Sequence, residues 1–360
     1  MKILSIETSC DETGVAILDI TGDPLQPKIK IVANALLSQI AIHEQYGGVY
    51  PMLAKREHQK NLPILLEKVL DDARENPDAP QLDFIAVTAG PGLEPALWTG
   101  IAFAQELGKK WGKPVVPVNH MKGHIWSVLT ESLRLELPAL ALLVSGGHTE
   151  IVLLKSLGEY QILGRTVDDA VGEAFDKVAR MLGLAYPGGP KISALANKSR
   201  ERDKTDTNLH QKFVFPRPMI HSGDLNFSFS GLKTAVLYKV RAEARDDDEF
   251  KEDIARAFED AAFDTLISKT RTALEIHTGE IKSLIVAGGV ASSPRLISEL
   301  KDMVKDFEDV TLLAPDKSLA TDNAIMIGLA AYVEVNTNPS ILSEASTIKA
   351  QGNLSITSSQ

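Results

Sequence analysis

The chain has 360 residues, too many for one hydrophobic core, because single cores stop growing at about 250 to 300 residues, so two lobes are expected. With 44% hydrophobic, 24% charged and 6% aromatic residues it has an ordinary globular make-up, which excludes the disordered, fibrous and collagen-like classes. Its 38 basic and 48 acidic residues leave a net charge of −10, the wrong sign for a protein that coats nucleic acid through its whole surface. Any RNA contact has to be a local patch or depend on a partner. The single cysteine, Cys10, rules out an internal disulfide and a cysteine-based zinc site. No apolar run approaches the roughly 20 residues that cross a bilayer. The start MKILSIE turns acidic at Glu7 and lacks the apolar stretch of a secretory signal, so a cytoplasmic protein without membrane contact is expected.

In chain order, residues 2–7 and 14–20 are β-rich runs around the polar turn TSCDET and predict a hairpin. Residues 51–75 have helical spacing, with Pro63 placed to kink or split the helix. Residues 84–89 read as a strand, GPGL at 90–93 as a turn and 95–111 as a helix, which together make a βα unit. Residues 115–118 give another short strand, and a helix is expected from Asn119 to about Leu135, with the lobe boundary at Leu137 and Pro138. Apolar runs at 139–144 and 150–154 flank SGGHT at 145–149 and repeat the first hairpin about 135 residues further on. In SLIVAGGVASS, residues 283–293, a strand enters a Gly-Gly turn and leads to a helix over 294–307. The repeat predicts two similar lobes whose turns face one central cleft. The acidic run at 246–252 reads as a solvated loop or helix start. From Asn336 onward Ser, Thr, Asn and Gln dominate, so residues 336–360 are expected to form a flexible tail.

The sharpest chemical signal is NHMKGH at 119–124. His120 and His124 lie four apart, which on a helix puts both imidazoles on one face, where they can grip one metal ion or merely share a surface. A zincin protease carries Glu directly after the first His, and here Met121 stands there, which argues against a metallopeptidase. Asp322 in LATDNA is the candidate third ligand; the alternative is a plain helix N-cap. Gly146 and Gly147 let backbone N–H groups approach a phosphate, with the Ser145 and Thr149 hydroxyls beside them. PGGP at 187–190 and AGGVA at 287–291 add two more glycine pairs, and three such turns in one lobe point to a nucleotide. No GxxxxGK[ST] segment is present, which excludes a P-loop. DDAVGEAFDK at 168–177 reads as one short helical stretch whose acids either face water or, at Asp176, bond a ribose hydroxyl. Asp11 and Glu12 lie in the first turn, where they can steer a proton, orient an amine or cap the hairpin. Cys10 beside them reads as a small buried hydrophobe.

These pieces, in this order, resemble the TsaD family of bacterial tRNA N6-adenosine threonylcarbamoyltransferases. The resemblance runs from Met1 to about Val333. It is carried by IETSCDETG at 6–14, HEQYGGVYPMLAKREH at 43–58, GPGL, NHMKGH, LLVSGGHT at 142–149, DDAVGEAFDKVARMLGLAYPGGP at 168–190, FSFSGLKTA at 227–235, AGGVA and TDNA at 321–324.

The resemblance implies an α/β fold of the actin-like ASKHA type, two similar βαβ lobes around a central cleft. The implied division is an N-terminal lobe over 1–136 with a C-terminal helix at about 320–335, and a second lobe over 137–319 that carries the substrate nucleotide site. It implies transfer of threonylcarbamoyl from L-threonylcarbamoyl-AMP to N6 of adenosine-37 in tRNAs reading ANN codons, releasing AMP. One divalent ion, Fe(2+) or Zn(2+), would be held by His120, His124 and Asp322. The nucleotide would be held by Leu143, Val144, Ser145, Gly146, Gly147, Asp176 and Gly189. Ser293 stands where the family has an asparagine, and its hydroxyl offers one donor rather than an amide's two. Glu12 or Asp11 is the candidate base for the N6 amine. Lys55, Arg56 and Lys60, with Lys109, Lys110 and Lys113, are a candidate basic patch. The implied partners are tRNA, a TsaB-like paralogue and a TsaE-like P-loop ATPase. The rival readings are an actin-like ATPase or scaffold, which would be expected to lack the metal triad, and the disfavoured metallopeptidase.

Overall fold

A computed structural model describes residues 1–205, 212–343 and 348–358. The chain divides into two compact units, one of residues 1–137, 154–160 and 315–360, the other of 138–153 and 161–314.

The first unit opens with β1 (Lys2–Glu7), β2 (Glu12–Asp23) and β3 (Gln26–Ser38), then the short α1 (Ile40–His43) and the long α2 (Pro51–Asp72). β4 (Phe84–Gly90), α3 (Glu94–Trp111), β5 (Val115–Asn119) and α4 (His120–Trp126) follow. The sheet order is β3-β2-β1-β4-β5; β1 pairs antiparallel with β2 and parallel with β4, and β4 pairs parallel with β5. β1 and β4 are near-continuous apolar runs because both sheet faces are covered. On one face Leu4, Ile6, Val15 and Val87 pack with Leu62, Leu65 and Val69 of α2 and with Ile101 and Ala104 of α3.

The second unit contains β6 (Ala139–Val144), most of β7 (Thr149–Ser156) and β8 (Glu159–Arg165), whose residues 154–160 fall in the first unit, α5 (Val171–Met181), α6 (Gly188–Thr205), α7 (Ser230–Glu243) and α8 (Asp248–Ile276). β9 (Ser283–Ala287), α9 (Pro294–Val304) and β10 (Thr311–Leu313) complete it. Its sheet order, β10-β9-β6-β7-β8, repeats that of the first unit, with β6 parallel to β9 and β9 parallel to β10. The hairpin repeat in the sequence is therefore a repeat of whole sheets. Phe175, Phe258 and Phe263 form an aromatic centre to its core, with Phe175 and Phe258 edge to face at 4.9 Å. Asp247, within the acidic run, caps α8 by accepting from the Phe250 N–H at 3.0 Å, with Asp248 and Glu249 in the first turn.

The chain then returns to the first unit with α10 (Ala324–Thr337), which is apolar all round and almost wholly buried. It covers the other sheet face closely. A Cβ at Gly328 would lie 2.4 Å from Leu18 Cδ1, and one at Gly14 would lie 2.9 Å from the Ala324 backbone nitrogen.

The structure departs from the sequence expectations in four places. α2 is not split at Pro63 but runs on as one helix, with Pro63 on its exposed side, where a lost backbone bond faces water. α4 ends at Trp126 rather than near Leu135. The Ser127 N–H and hydroxyl take up the terminal carbonyls of Gly123 and His124, and the Leu135 N–H donates to the Leu25 carbonyl at 2.9 Å. Asp168 and Asp169 precede α5 instead of lying within it. Parts of the expected tail are packed: α10 runs through Asn336, and Ile348, Leu354 and Ile356 are buried, while residues 344–347 and 359–360 lie outside the described ones. Among the described residues, no helix is long and apolar enough to cross a membrane.

Phe258→Ala should lower the unfolding free energy of the second unit by about 3–5 kcal/mol, since a buried ring is lost from the centre of its core. Urea denaturation of the variant beside the parent chain measures it.

Candidate metal centre and nucleotide-binding turns

β5 ends at Asn119, whose side-chain oxygen accepts from the Met121 N–H at 2.9 Å and the Lys122 N–H at 3.3 Å and so starts α4. The four-residue spacing then stacks His120 and His124 on one side, rings edge to face at 4.7 Å. Asp322 arrives from the segment before α10. It is not the helix cap; Asn323 accepts from the Met326 N–H at 3.0 Å, which leaves the Asp322 carboxylate free to point elsewhere. Its Oδ1 lies 3.4 Å from His120 Nε2 and 3.2 Å from His124 Nε2. Ligand atoms of the three residues fall within 4.8 Å of one another.

Two observations fit this group to a cation. The His124 side chain is fully buried; among the described residues its Nδ1 has no hydrogen-bond partner, at a cost of about 1–3 kcal/mol, and its Nε2 faces Asp322 Oδ1 at 3.2 Å. The end of the sheet also gathers the carboxyl groups of Glu7, Asp11, Glu12 and Asp322, close enough that burial and the Asp11 and Asp322 charges keep a proton on Glu12. Two imidazoles and a carboxylate are a common donor set for divalent iron or zinc.

Glu7 was not singled out from the sequence, yet it orients the site. It is fully buried at the end of β1, accepts from the Thr88 hydroxyl at 2.6 Å and from the Ser9 N–H, and lies 3.2 Å from His120 Nδ1. The His120 Nδ1–H donates to this carboxylate, which turns Nε2 toward Asp322, where a bound cation would take the place of the Nε2 proton. Its signal in the sequence was a lone carboxylate closing an apolar strand.

Electrostatics follow the geometry. Burial alone would lower the His120 imidazole, but the Asp322 and Glu7 carboxylates outweigh it and raise it well above its usual value. Burial works against ionised Asp322, and the charges and hydrogen bonds of His120 and His124 overcome that and hold it low. Glu12 is pushed up to about 10 by burial and by the Asp11 and Asp322 charges. It is protonated at neutral pH in the absence of a cation, a proton donor rather than a base. Burial, with Asp11 and Asp322 nearby, also pushes the Cys10 thiol well up, so the thiol stays unreactive.

His43 and His58, also unassigned from the sequence, support the turn that carries Asp11 and Glu12. The His58 Nε2–H donates to the Cys10 carbonyl at 3.0 Å, and its Nδ1 accepts from the Thr13 hydroxyl at 2.8 Å. His43 donates to Gln39 Oε1 at 3.1 Å and accepts from the Tyr50 N–H at 3.3 Å. Burial lowers both imidazoles, which keeps them neutral. Of the basic patch, Lys60 is paired with Glu57 and Lys110 with Asp78.

In the second unit the glycine turns meet around α5. The Ser145 N–H donates to the His148 carbonyl at 2.9 Å, closing the SGGH turn and leaving Gly146 and Gly147 exposed. Leu143 and Val144 are buried, so only their backbone is available to a ligand. A Cβ at Gly172 would lie 2.5 Å from the Ser145 carbonyl oxygen, and one at Gly288, where φ is +98°, 2.5 Å from that of Val144. Asp176 Oδ1 accepts from the Gly188 N–H at 2.7 Å, joining α5 to the PGGP turn, while Gly189 faces open space. Ser293 caps α9, its hydroxyl accepting from the Leu296 N–H at 3.4 Å, so that oxygen already has a structural use. Asp168 binds the FSFSGLKTA segment through the Ser228 hydroxyl and the Phe229 and Ser230 N–H groups, and Asp169 pairs with Lys177 and Lys233.

Because the proton on His120 competes with a cation, metal affinity should fall as pH drops toward and below that raised value, by about tenfold per unit for one displaced proton. Calorimetry with Zn(2+) in buffers of different ionisation enthalpy should show about one proton released per ion, and Glu7→Gln should weaken binding about 10- to 100-fold.

Comparison with known proteins agrees with this architecture. The TsaD family profile, tRNA N6-adenosine threonylcarbamoyltransferase, matches residues 30–329. The chain is 44% identical over 357 residues to the tRNA N6-adenosine threonylcarbamoyltransferase of Thermosipho africanus (strain TCF52B), covering 99% of this chain and 100% of that protein. Among solved structures, HypF of T. kodakarensis aligns with a TM-score of 0.56 at 15% identity, over 95% of this chain and 49% of that one. Full-length HypF in its phosphate- and nucleotide-bound form aligns at 0.53 and 12%, over 96% of this chain and 56% of that one. These two likenesses establish the actin-like ASKHA α/β fold and nothing finer, and this chain spans about half of each. On the strength of the profile and the full-length identity, the chain belongs to the TsaD family of tRNA N6-adenosine threonylcarbamoyltransferases.

Proposed function

We propose that this chain transfers the threonylcarbamoyl group from L-threonylcarbamoyl-AMP to N6 of adenosine-37 in tRNAs reading ANN codons. The N6 amine attacks the carbamoyl carbon, the bond from that carbon to the phosphate oxygen breaks, AMP leaves with the electron pair, and the amine gives up one proton. The observation that carries this reading is the His120, His124 and Asp322 group, with its fully buried His124 imidazole, formed by the motif residues of the family.

In this reading His120 and His124 offer Nε2, and Asp322 offers Oδ1, to one Fe(2+) or Zn(2+) ion, which would supply a positive charge for the phosphate or carbamoyl oxygens. Glu7 holds the His120 tautomer. Asp11 accepts the amine proton, with Glu12 beside it in the same turn. The backbone of residues 143–147 and Gly189 cradles the nucleotide phosphate, and Asp176 contacts the ribose while holding the PGGP turn. Ser293 contributes through the position of α9 more than through its hydroxyl. The active protein is cytoplasmic and works with a TsaB-like paralogue and a TsaE-like ATPase. That fits a chain of net charge −10, which needs help to hold tRNA.

Incubation with threonylcarbamoyl-AMP, unmodified tRNA and the partner proteins, followed by digestion and mass spectrometry, should show threonylcarbamoyladenosine. A chelator or His120→Ala should abolish it. ATP hydrolysis or peptide cleavage in its place would sink the assignment.

Gly172→Ala forces its new Cβ against the Ser145 carbonyl oxygen and should lower kcat/KM for threonylcarbamoyl-AMP by on the order of a hundredfold. Metal content measured on the same preparation should stay at the parent level.

A further inference from the structure

Residues 348–358 form no helix or strand, yet they are tied to the first unit at several points. Ile348, Leu354 and Ile356 are buried. The Gln351 N–H donates to the Ala89 carbonyl near the end of β4 at 2.9 Å, and the Gly92 N–H donates to the Gly352 carbonyl at 3.1 Å. The approach is so close that a Cβ at Gly90, where φ is +154°, would lie 2.0 Å from the Gln351 carbonyl oxygen. Further along, the Ser355 carbonyl accepts from Asn119 Nδ2 at 3.1 Å.

Asn119 gives these contacts a chemical meaning. Its oxygen starts α4 while its nitrogen is bound to Ser355, so the amide cannot turn without losing the cap or the tether. The GPGL turn under the same segment reaches the site from the other side. The Leu93 N–H donates to the Ser9 carbonyl at 2.8 Å, and the Ser9 hydroxyl lies 3.2 Å from His120 Nδ1. We propose that residues 348–358 are a strap that sets the position of α4, and with it the ligand geometry of His120 and His124. Asn119 is the positioning residue that couples strap to helix. The inference rests on the metal-centre reading above and reaches beyond it to a segment outside the family motifs.

The test is a Co(2+) titration, followed by visible absorption, of the full chain, of Asn119→Ser and of a variant lacking residues 348–360. Serine remains a good helix cap but is too short to keep the bond to the Ser355 carbonyl. Asn119→Ser should bind Co(2+) about tenfold more weakly, with a changed ligand-field spectrum and an unchanged far-UV circular dichroism spectrum. The shortened chain should lose more, and a synthetic peptide of residues 348–358 added to it should recover the spectrum. Wild-type affinity and spectrum in Asn119→Ser would overturn the strap, whether or not the shortened chain folds. Failure of the full chain itself to bind Co(2+) would remove the metal reading and the strap together, an outcome distinct from the first.

Discussion

An ionised carboxylate taken out of water costs several kcal/mol unless its lone pairs are met, and at Glu7 that requirement orders the whole end of the first sheet. Its partners come from different elements: Thr88 from β4, Ser9 from the turn after β1, and His120 from α4. Only a sheet in which β1, β4 and β5 lie side by side and parallel delivers all of them to one place. In return Glu7 holds the proton on His120 Nδ1. That bond turns Nε2 toward Asp322, and a centre able to hold a cation follows from it.

Four histidines at this end show how environment divides one residue type into two roles. His43 and His58 are enclosed by neutral partners, and burial keeps them uncharged as struts of the turn that holds Asp11 and Glu12. His120 sits between two carboxylates and takes a proton readily. His124 is fully buried with its Nε2 on Asp322 and its Nδ1 without a partner among the described residues, a condition that a folded protein keeps at a cost. The contrast rests on charge and hydrogen bonding rather than on depth, since all four are buried.

In the second unit the equivalent organiser is steric. α5 lies against the SGGH turn at Gly172 and against the PGGP turn at Gly188, where a Cβ would come within 2.5 and 2.4 Å of its nearest neighbour. The absence of side chains at these two positions lets one helix register two backbone turns. The acids around α5 reinforce the same arrangement, since Asp176 holds Gly188, Asp168 holds the start of α7, and Asp169 pairs with lysines. Acids in a short run thus did not face water as a set; each found a backbone or lysine partner.

Local chemistry was legible from the sequence: the histidine pair needs only one helical turn, the glycine turns need only their own backbone freedom, and the hairpin repeat shows in alternating apolar runs. These depend on residues within a few positions of each other. What lies far apart in the chain was decided by packing. Asp322 and Asn323 both suit a helix cap, and only the fold assigned the cap to Asn323 and released Asp322. Glu7 read as the end of a strand until His120 was brought to it, and residues 348–358 read as polar tail until Asn119 and the GPGL turn offered them backbone partners. The helix expected past Trp126 stopped because Leu135 pairs with Leu25, a bond between segments that no local propensity encodes. Sequence by itself set the motifs and their chemistry; which atoms meet, and so which groups remain free to bind a ligand, came from long-range burial and hydrogen bonding, because the cost of an unmet buried group depends on everything around it.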